Sequence, residues 1–374
     1  MNLRHLSCKL PPVLLGLLLL AAAVGAQAPA APPAQQAKRM MEELRTRVGS
    51  PGLSAAVAVD GRIVWAEGFG EADVENHVPV SPGSRFRLGS VSKLLTAAAA
   101  ARLVEQGRLD LDAAVQRYVP SFPDKGQPIT ARQLAGHLAG VRHYGPQDFQ
   151  RPPKRYESVT AGLEVFAGDP LVHPPGSAYL YSSYGYNLLG AVVEGAAGKD
   201  FLTAVDEIVI RPLGLAATGP DVPERIVDGR VRPYRRTSGG ILENENPIDS
   251  SYKWPSAGFL STATDLARFG SAQLAGDFLK PETRALLFTS QRTAEGKETG
   301  VGLGWRIGTS DGGRRFYHHG GTIEGGRAFI LLVPEGRVAV AILTNLSGAR
   351  FAEQDALKLA ELFLEQPRGD RLEN

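Results

Sequence analysis

Phe86-Arg87-Leu88-Gly89-Ser90-Val91-Ser92-Lys93-Leu94-Leu95-Thr96-Ala97-Ala98-Ala99-Ala100-Ala101 passes from a polar turn straight into an apolar, alanine-rich helix. Ser90 and Lys93 stand three residues apart near its start, a spacing that puts both side chains on one helical face. The unpaired backbone N–H groups of a helix N-terminus also favour negative charge developing beside Ser90. This is the arrangement of a nucleophile beside its activator. The competing reading is structural, with Ser90 as a cap and Lys93 as a surface cation. The rest of the chain has to decide between them.

The chain has 374 residues, 43% of them hydrophobic and 21% charged, which suits a globular core rather than general disorder. Arg4, His5 and Lys9 precede a largely apolar run from Leu10 to Val24, followed by small residues. That order predicts a secretory signal peptide over 1–26, with cleavage after Ala26 or Ala28. A retained anchor is the alternative, but the run falls short of the roughly 20 apolar residues of a membrane span. Removal would take away Cys8, the one cysteine, together with Arg4 and Lys9, which account for the formal net charge of +2. The expected mature chain is therefore exported, to a bacterial periplasm or the extracellular space, without disulfide or thiol nucleophile. Its balance of charge points to no nucleic-acid partner.

Outward from the Ser90 helix, residues 27–36 read as a tether and Ala37–Val48 as a helix. Leu53–Val59 and Arg62–Glu67 form a hairpin around Asp60-Gly61. Phe69–Pro82 reads as a loop. The Ser90 helix should stop at Gly107, and Thr130 with Gln133 predicts a capping box for a helix over Ala131–Leu138. Tyr184–Ala197 and Phe201–Ile210 are further helices, and Ser261-Thr262 begins another. Strands return at Gly302–Ile307 and Arg314–His318, then at Gly326–Leu332 and Val338–Thr344, before a last amphipathic helix over Ala352–Leu364. The expected fold is α+β, an antiparallel sheet flanked by helices and drawing on both ends of the sequence. A helical lobe is inserted at about 100–270 in a single catalytic domain over 37–367, with a tail at 368–374. The oligomeric state is open.

Two further stretches complete a chemistry. Tyr179-Leu180-Tyr181-Ser182-Ser183-Tyr184 places a tyrosine just ahead of a helix, and Tyr317-His318-His319-Gly320-Gly321 ends a strand on glycines that permit close backbone approach. Taken with Ser90-Val91-Ser92-Lys93, these stretches resemble the serine β-lactamase-like hydrolases. That family groups class C β-lactamases, D-alanyl-D-alanine carboxypeptidases and related esterases, and the handled chemistry is Ser-x-x-Lys acylation. Tyr181-Ser182-Ser183 matches its Tyr-x-Asn motif, and His318-His319-Gly320 its Lys-Thr-Gly or His-x-Gly motif. Similarity extends over about 37–367. Ile129–Leu134 and His137–Tyr144 look especially like the animal mitochondrial branch of the family, and Pro255–Thr262 resembles a recurrent family segment.

The resemblance implies an acyl-enzyme on Ser90, with Lys93 and Tyr181 as the proton relay in either order. Backbone N–H groups of Ser90 and Gly321 would form the oxyanion hole. His318 would orient substrate, with Ser183, His319 and Gly320 beside it, and Tyr144 either lining the cleft or packed in a loop. Ser183 stands where the family has asparagine, and His318 where drug-hydrolysing members have lysine, which removes a fixed positive charge. A peptide or small ester is then the expected substrate, in a peptidase or carboxypeptidase-like reaction. β-Lactamase or esterase activity and a non-catalytic envelope scaffold are the alternatives. No cofactor is implied. His137, His143, His318 and His319 lack the carboxylate spacing of a metal site, so no metal is expected either.

Overall fold

The computed structural model describes residues 31–146, 148 and 154–364. The expected export segment and the 368–374 tail lie outside them. Pro33 opens the first helix, α1 (Pro33–Val48), a position where the missing N–H of proline costs nothing. The expected tether therefore gives way to helix ahead of Ala37. Asp60 and Gly61, with φ of 49° and 83°, turn β1 (Gly52–Val59) back on β2 (Arg62–Asp73). β2 runs past Phe69, where a loop was expected, because Phe69 and Gly70 still pair with Leu53 and Gly52. β3 (Val78–Pro79) and β4 (Phe86–Arg87) lead to a tight turn at Gly89–Val91 and then to α2 (Ser92–Glu105).

The middle of the chain is mostly helical: α3 (Ala131–Ala135), α4 (Val159–Gly162), α5 (Ser183–Ala197) and α6 (Phe201–Val205). The Thr130 capping box forms with both of its bonds, but α3 ends before His137, which adopts a φ of 60°. Short strands β5 (Gly219–Pro220), β6 (Tyr234–Arg236) and β7 (Leu242–Asn244) follow, then α7 (Trp254–Ala257), β8 (Phe259–Ser261), α8 (Ala263–Leu274) and α9 (Pro281–Phe288). The chain closes with β9 (Arg306–Thr309), β10 (Arg315–Ile323), β11 (Gly326–Val333), β12 (Val338–Thr344) and α10 (Glu353–Leu364).

The main sheet is antiparallel, in the order β3-β2-β1-β12-β11-β10-β9. β1 pairs with β12 from Leu53↔Thr344 to Val59↔Val338, so the two ends of the sequence meet at its centre. Side chains alternate between two faces. Leu53, Val57, Val338, Val340 and Ile342 join the core under α1 and α10, the outer face. Ala56, Ala58, Ala339, Ala341 and Leu343 join the core shared with α2, α5 and α8, the inner face.

Candidate active site

The site forms where the start of α2, the start of α5 and the edge of β10 converge. Gly89 adopts φ +50°, and a Cβ there would lie 2.9 Å from backbone atoms of Thr322, so glycine lets the Ser90 turn press against β10. Gly321 does the same from the other side, since a Cβ would come 1.9 Å from the Leu88 carbonyl oxygen. Ser90 occupies this turn and Lys93 the first turn of α2.

Lys93 is fully buried. Its Nζ donates to Ser90 Oγ at 3.1 Å, Ser183 Oγ at 3.0 Å and the Ser256 carbonyl oxygen at 2.9 Å. The surface-cation reading of Lys93 is therefore excluded. Nζ also stands 5.0 Å from the Tyr181 ring centroid. Burial pushes the Lys93 ammonium below its ordinary value, against the pull of the Tyr181 charge and hydrogen bond, and Arg306 adds to the depression. Burial by itself raises the Tyr181 phenol. The Lys93 charge, with hydrogen bonds from Lys93 and Ser90, outweighs it and brings the phenol below its ordinary value.

Two histidines set the backbone around this tyrosine. His137 Nδ1 accepts the Ser182 N–H at 3.2 Å, and its ring lies 4.5 Å from that of Tyr181. His143 Nδ1 accepts the Ser183 N–H at 3.1 Å. Ser182 caps α5 by accepting the Gly185 N–H at 2.8 Å. The Tyr144 hydroxyl meets Ser256 Oγ at 3.1 Å, and Tyr144 lines the cleft. Among the described residues no group of His, Cys, Asp and Glu is placed to hold a metal ion.

β10 requires two corrections. His318 and His319 point to opposite faces, as neighbours on a strand must. His319 is buried on the inner face, its ring 6.3 Å from that of Tyr181, while His318 stacks on Phe329 of the outer face at 5.5 Å. His319 thus takes the place expected of His318, and the motif reads His319-Gly320-Gly321. The second correction concerns the oxyanion donor. Ile307 donates its N–H to Gly300, away from β10, so the alternate residue Arg306 faces β10 and pairs with His318. Counting on by twos, Gly320 and Thr322 turn their amides to the strand edge beyond β9, and Gly321 turns its amide to β11. Thr322, not Gly321, offers its N–H on the Ser90 side.

A cleft of about 540 Å³ opens over this edge, lined by Ser90, Tyr181, Ser183, Gly320 and Thr322 among others. Lys253, Arg306 and Glu324 also line it. These three carry no local motif, and they reach the cleft from separate elements, so the sequence reading missed them. His143 and His319 are held neutral: burial lowers both, with the Lys93 charge acting in the same direction.

A serine and a lysine on one helical start, a tyrosine brought in by a second helix and a glycine-edged strand beside them define the serine hydrolases of the penicillin-recognising fold. The chain belongs to the beta-lactamase family, whose pattern matches residues 37–363. It is 32% identical to the human protein named serine beta-lactamase-like protein LACTB, mitochondrial, over 80% of this chain and 72% of that one. Among solved structures it resembles the octameric penicillin-binding protein homologue from Pyrococcus abyssi, at 25% identity and a TM-score of 0.75, covering 89% of this chain and 77% of the other. It also resembles SurE solved with D-Leu, at 27% identity and a TM-score of 0.68, covering 91% and 76%.

Proposed function

We propose that this protein hydrolyses peptide or ester substrates through an acyl-enzyme on Ser90, with a carboxypeptidase-like reaction as its main activity. The observation that carries the reading is the contact of buried Lys93 with Ser90 Oγ at 3.1 Å, next to a tyrosine whose phenol is brought below its ordinary value. Such depression favours proton transfer through the phenol. With Lys93 donating to the Ser90 oxygen, the hydroxyl proton is free to pass to Tyr181 as Oγ bonds to the substrate carbonyl carbon. The developing oxyanion is then held by the N–H groups of Ser90 and Thr322. Tyr181 returns the proton to the leaving nitrogen or oxygen as the scissile bond breaks. Water, deprotonated by the same relay, attacks the ester and restores Ser90.

The edge of β10 beyond β9 supports a peptide, because a strand edge with free amides accepts an extended chain by main-chain hydrogen bonding. The SurE relative, solved with D-Leu, favours a D-configured residue next to the scissile bond. The test is intact mass and product release with a D-alanyl-D-alanine peptide, a penicillin and a short-chain ester. A Ser90 adduct with peptide turnover is expected, and Ser90→Ala should remove both while the protein stays folded. Saturable binding with no adduct and no product would instead make it a non-catalytic ligand-binding scaffold.

A further inference from the structure

Across the cleft from β10 stand His143, Tyr144, Tyr181 and Ser183. Three of these four have their polar atoms engaged. Tyr181 belongs to the proton relay, the buried Ser183 Oγ takes the Lys93 ammonium at 3.0 Å, and the Tyr144 hydroxyl meets Ser256 Oγ at 3.1 Å. His143 differs from them. It is an exposed residue of the cleft lining, its ring stacked on Tyr144 with centroids 4.8 Å apart and edge-on to Tyr181 at 5.4 Å. Its Nδ1 accepts the Ser183 N–H at 3.1 Å, so that nitrogen carries no proton. A neutral imidazole then holds its one proton on Nε2. Among the described residues no group accepts a hydrogen bond from Nε2. With this tautomer His143 offers the cleft a donor rather than a base.

Strand geometry decides what such a donor meets. Successive carbonyls of an extended chain point to opposite sides. A substrate whose scissile carbonyl is held by the Ser90 and Thr322 N–H groups on the β10 side turns the carbonyl one residue earlier toward the opposite wall. We propose that His143 donates its Nε2–H to that earlier carbonyl and so selects acyl groups that carry an amide beside the acylating carbon. The Ser183 hydroxyl is too short and too deeply committed to Lys93 to reach it. The inference rests on the hydrolase reading above and narrows its substrate class to N-acylated amino-acid esters and peptides.

The test compares two phenyl esters that differ only in the acyl group, N-acetyl-D-alanyl and propanoyl, the second having hydrogen in place of the acetamide. Each kcat/KM is divided by the ester's own alkaline hydrolysis rate, which removes intrinsic reactivity. The wild-type protein should favour the acetamido ester by about tenfold, the upper scale of one neutral hydrogen bond. His143→Asn keeps an acceptor for the Ser183 N–H but withdraws the donor from the cleft, and should bring the ratio close to one. His143→Gln reaches as far as Nε2 with an N–H and should retain part of the preference. Loss of backbone support at Ser183 slows both esters alike and leaves the ratio unmoved, so an unchanged ratio in His143→Asn would overturn the assignment. So would a wild-type ratio near one, or a His143→Gln variant no better than His143→Asn. In all of those cases intact mass still shows acylated Ser90. No Ser90 adduct from either ester would overturn the hydrolase reading itself, and this inference with it.

Discussion

The two faces of the central sheet are equally dry and differently built. On the outer face Val57, Val338, Val340 and Ile342 present large branched side chains to α1 and α10. On the inner face the same two strands present Ala56, Ala58, Ala339 and Ala341, and α8 comes close enough that Gly270 has no room for a side chain. Bulk on one side fills a core, whereas smallness on the other lets helices approach the strands and brings the Ser90 turn against β10. The neighbouring histidines express the same division. His319 faces Tyr181 from the inner face, and His318 stacks on Phe329 on the outer one.

Truncation and overfilling should therefore hurt opposite faces. Ile342→Ala should cost the outer core about 3 kcal/mol, as a buried large-to-small change does, read as a lower urea midpoint with the Ser90 adduct still forming. A loss below 1 kcal/mol would mean that the outer face is not a tightly filled core. On the inner face, overfilling is the harmful direction. A Cβ at Gly270 already lies 2.7 Å from Leu332 and 3.2 Å from Ala339, so Gly270→Val should cost about 2 kcal/mol through forced side-chain shifts. Full stability in that variant would show α8 free to back away.

The smallest effect is a pH dependence. Burial lowers His318 to about 4, against the opposing pull of Glu353 and with Arg306 adding to it. As pH falls from its ordinary 6.5, the unfolded chain takes up a proton that folded His318 refuses until about 4. Stability is thus lost on acidification through that window and is indifferent to this group above it. Its Nδ1 is also buried without a partner. His318→Phe should narrow the difference in urea midpoint between pH 7 and pH 5 while leaving peptide turnover in place. An unchanged difference would assign the acid sensitivity to His137 and His319, which burial also lowers.

Local signals made much of this molecule readable in advance. The Asp60-Gly61 turn, the Thr130 capping box, the Gly107 stop and the β11–β12 hairpin depend on neighbouring residues alone, and all four form. The serine–lysine pair was legible for the same reason, because three-residue spacing at a helix start brings two side chains together without distant contacts. The helix expected to run through His137 stops short, since that residue is turned to place its ring beneath Tyr181. Likewise β2 is lengthened by pairing with β1, which no window of β2 sequence contains.

The sequence by itself determined the fold class, the family and the pairing of Ser90 with Lys93, because motif spacing and hydrophobic period are properties of the chain. Only the tertiary structure decided which of two adjacent histidines faces the serine and which glycine-strand amide is free. It also brought Arg306, Lys253 and Glu324 to one cleft. Each of those outcomes depends on strand register, and a shift of one residue exchanges every side chain and every amide between two sides.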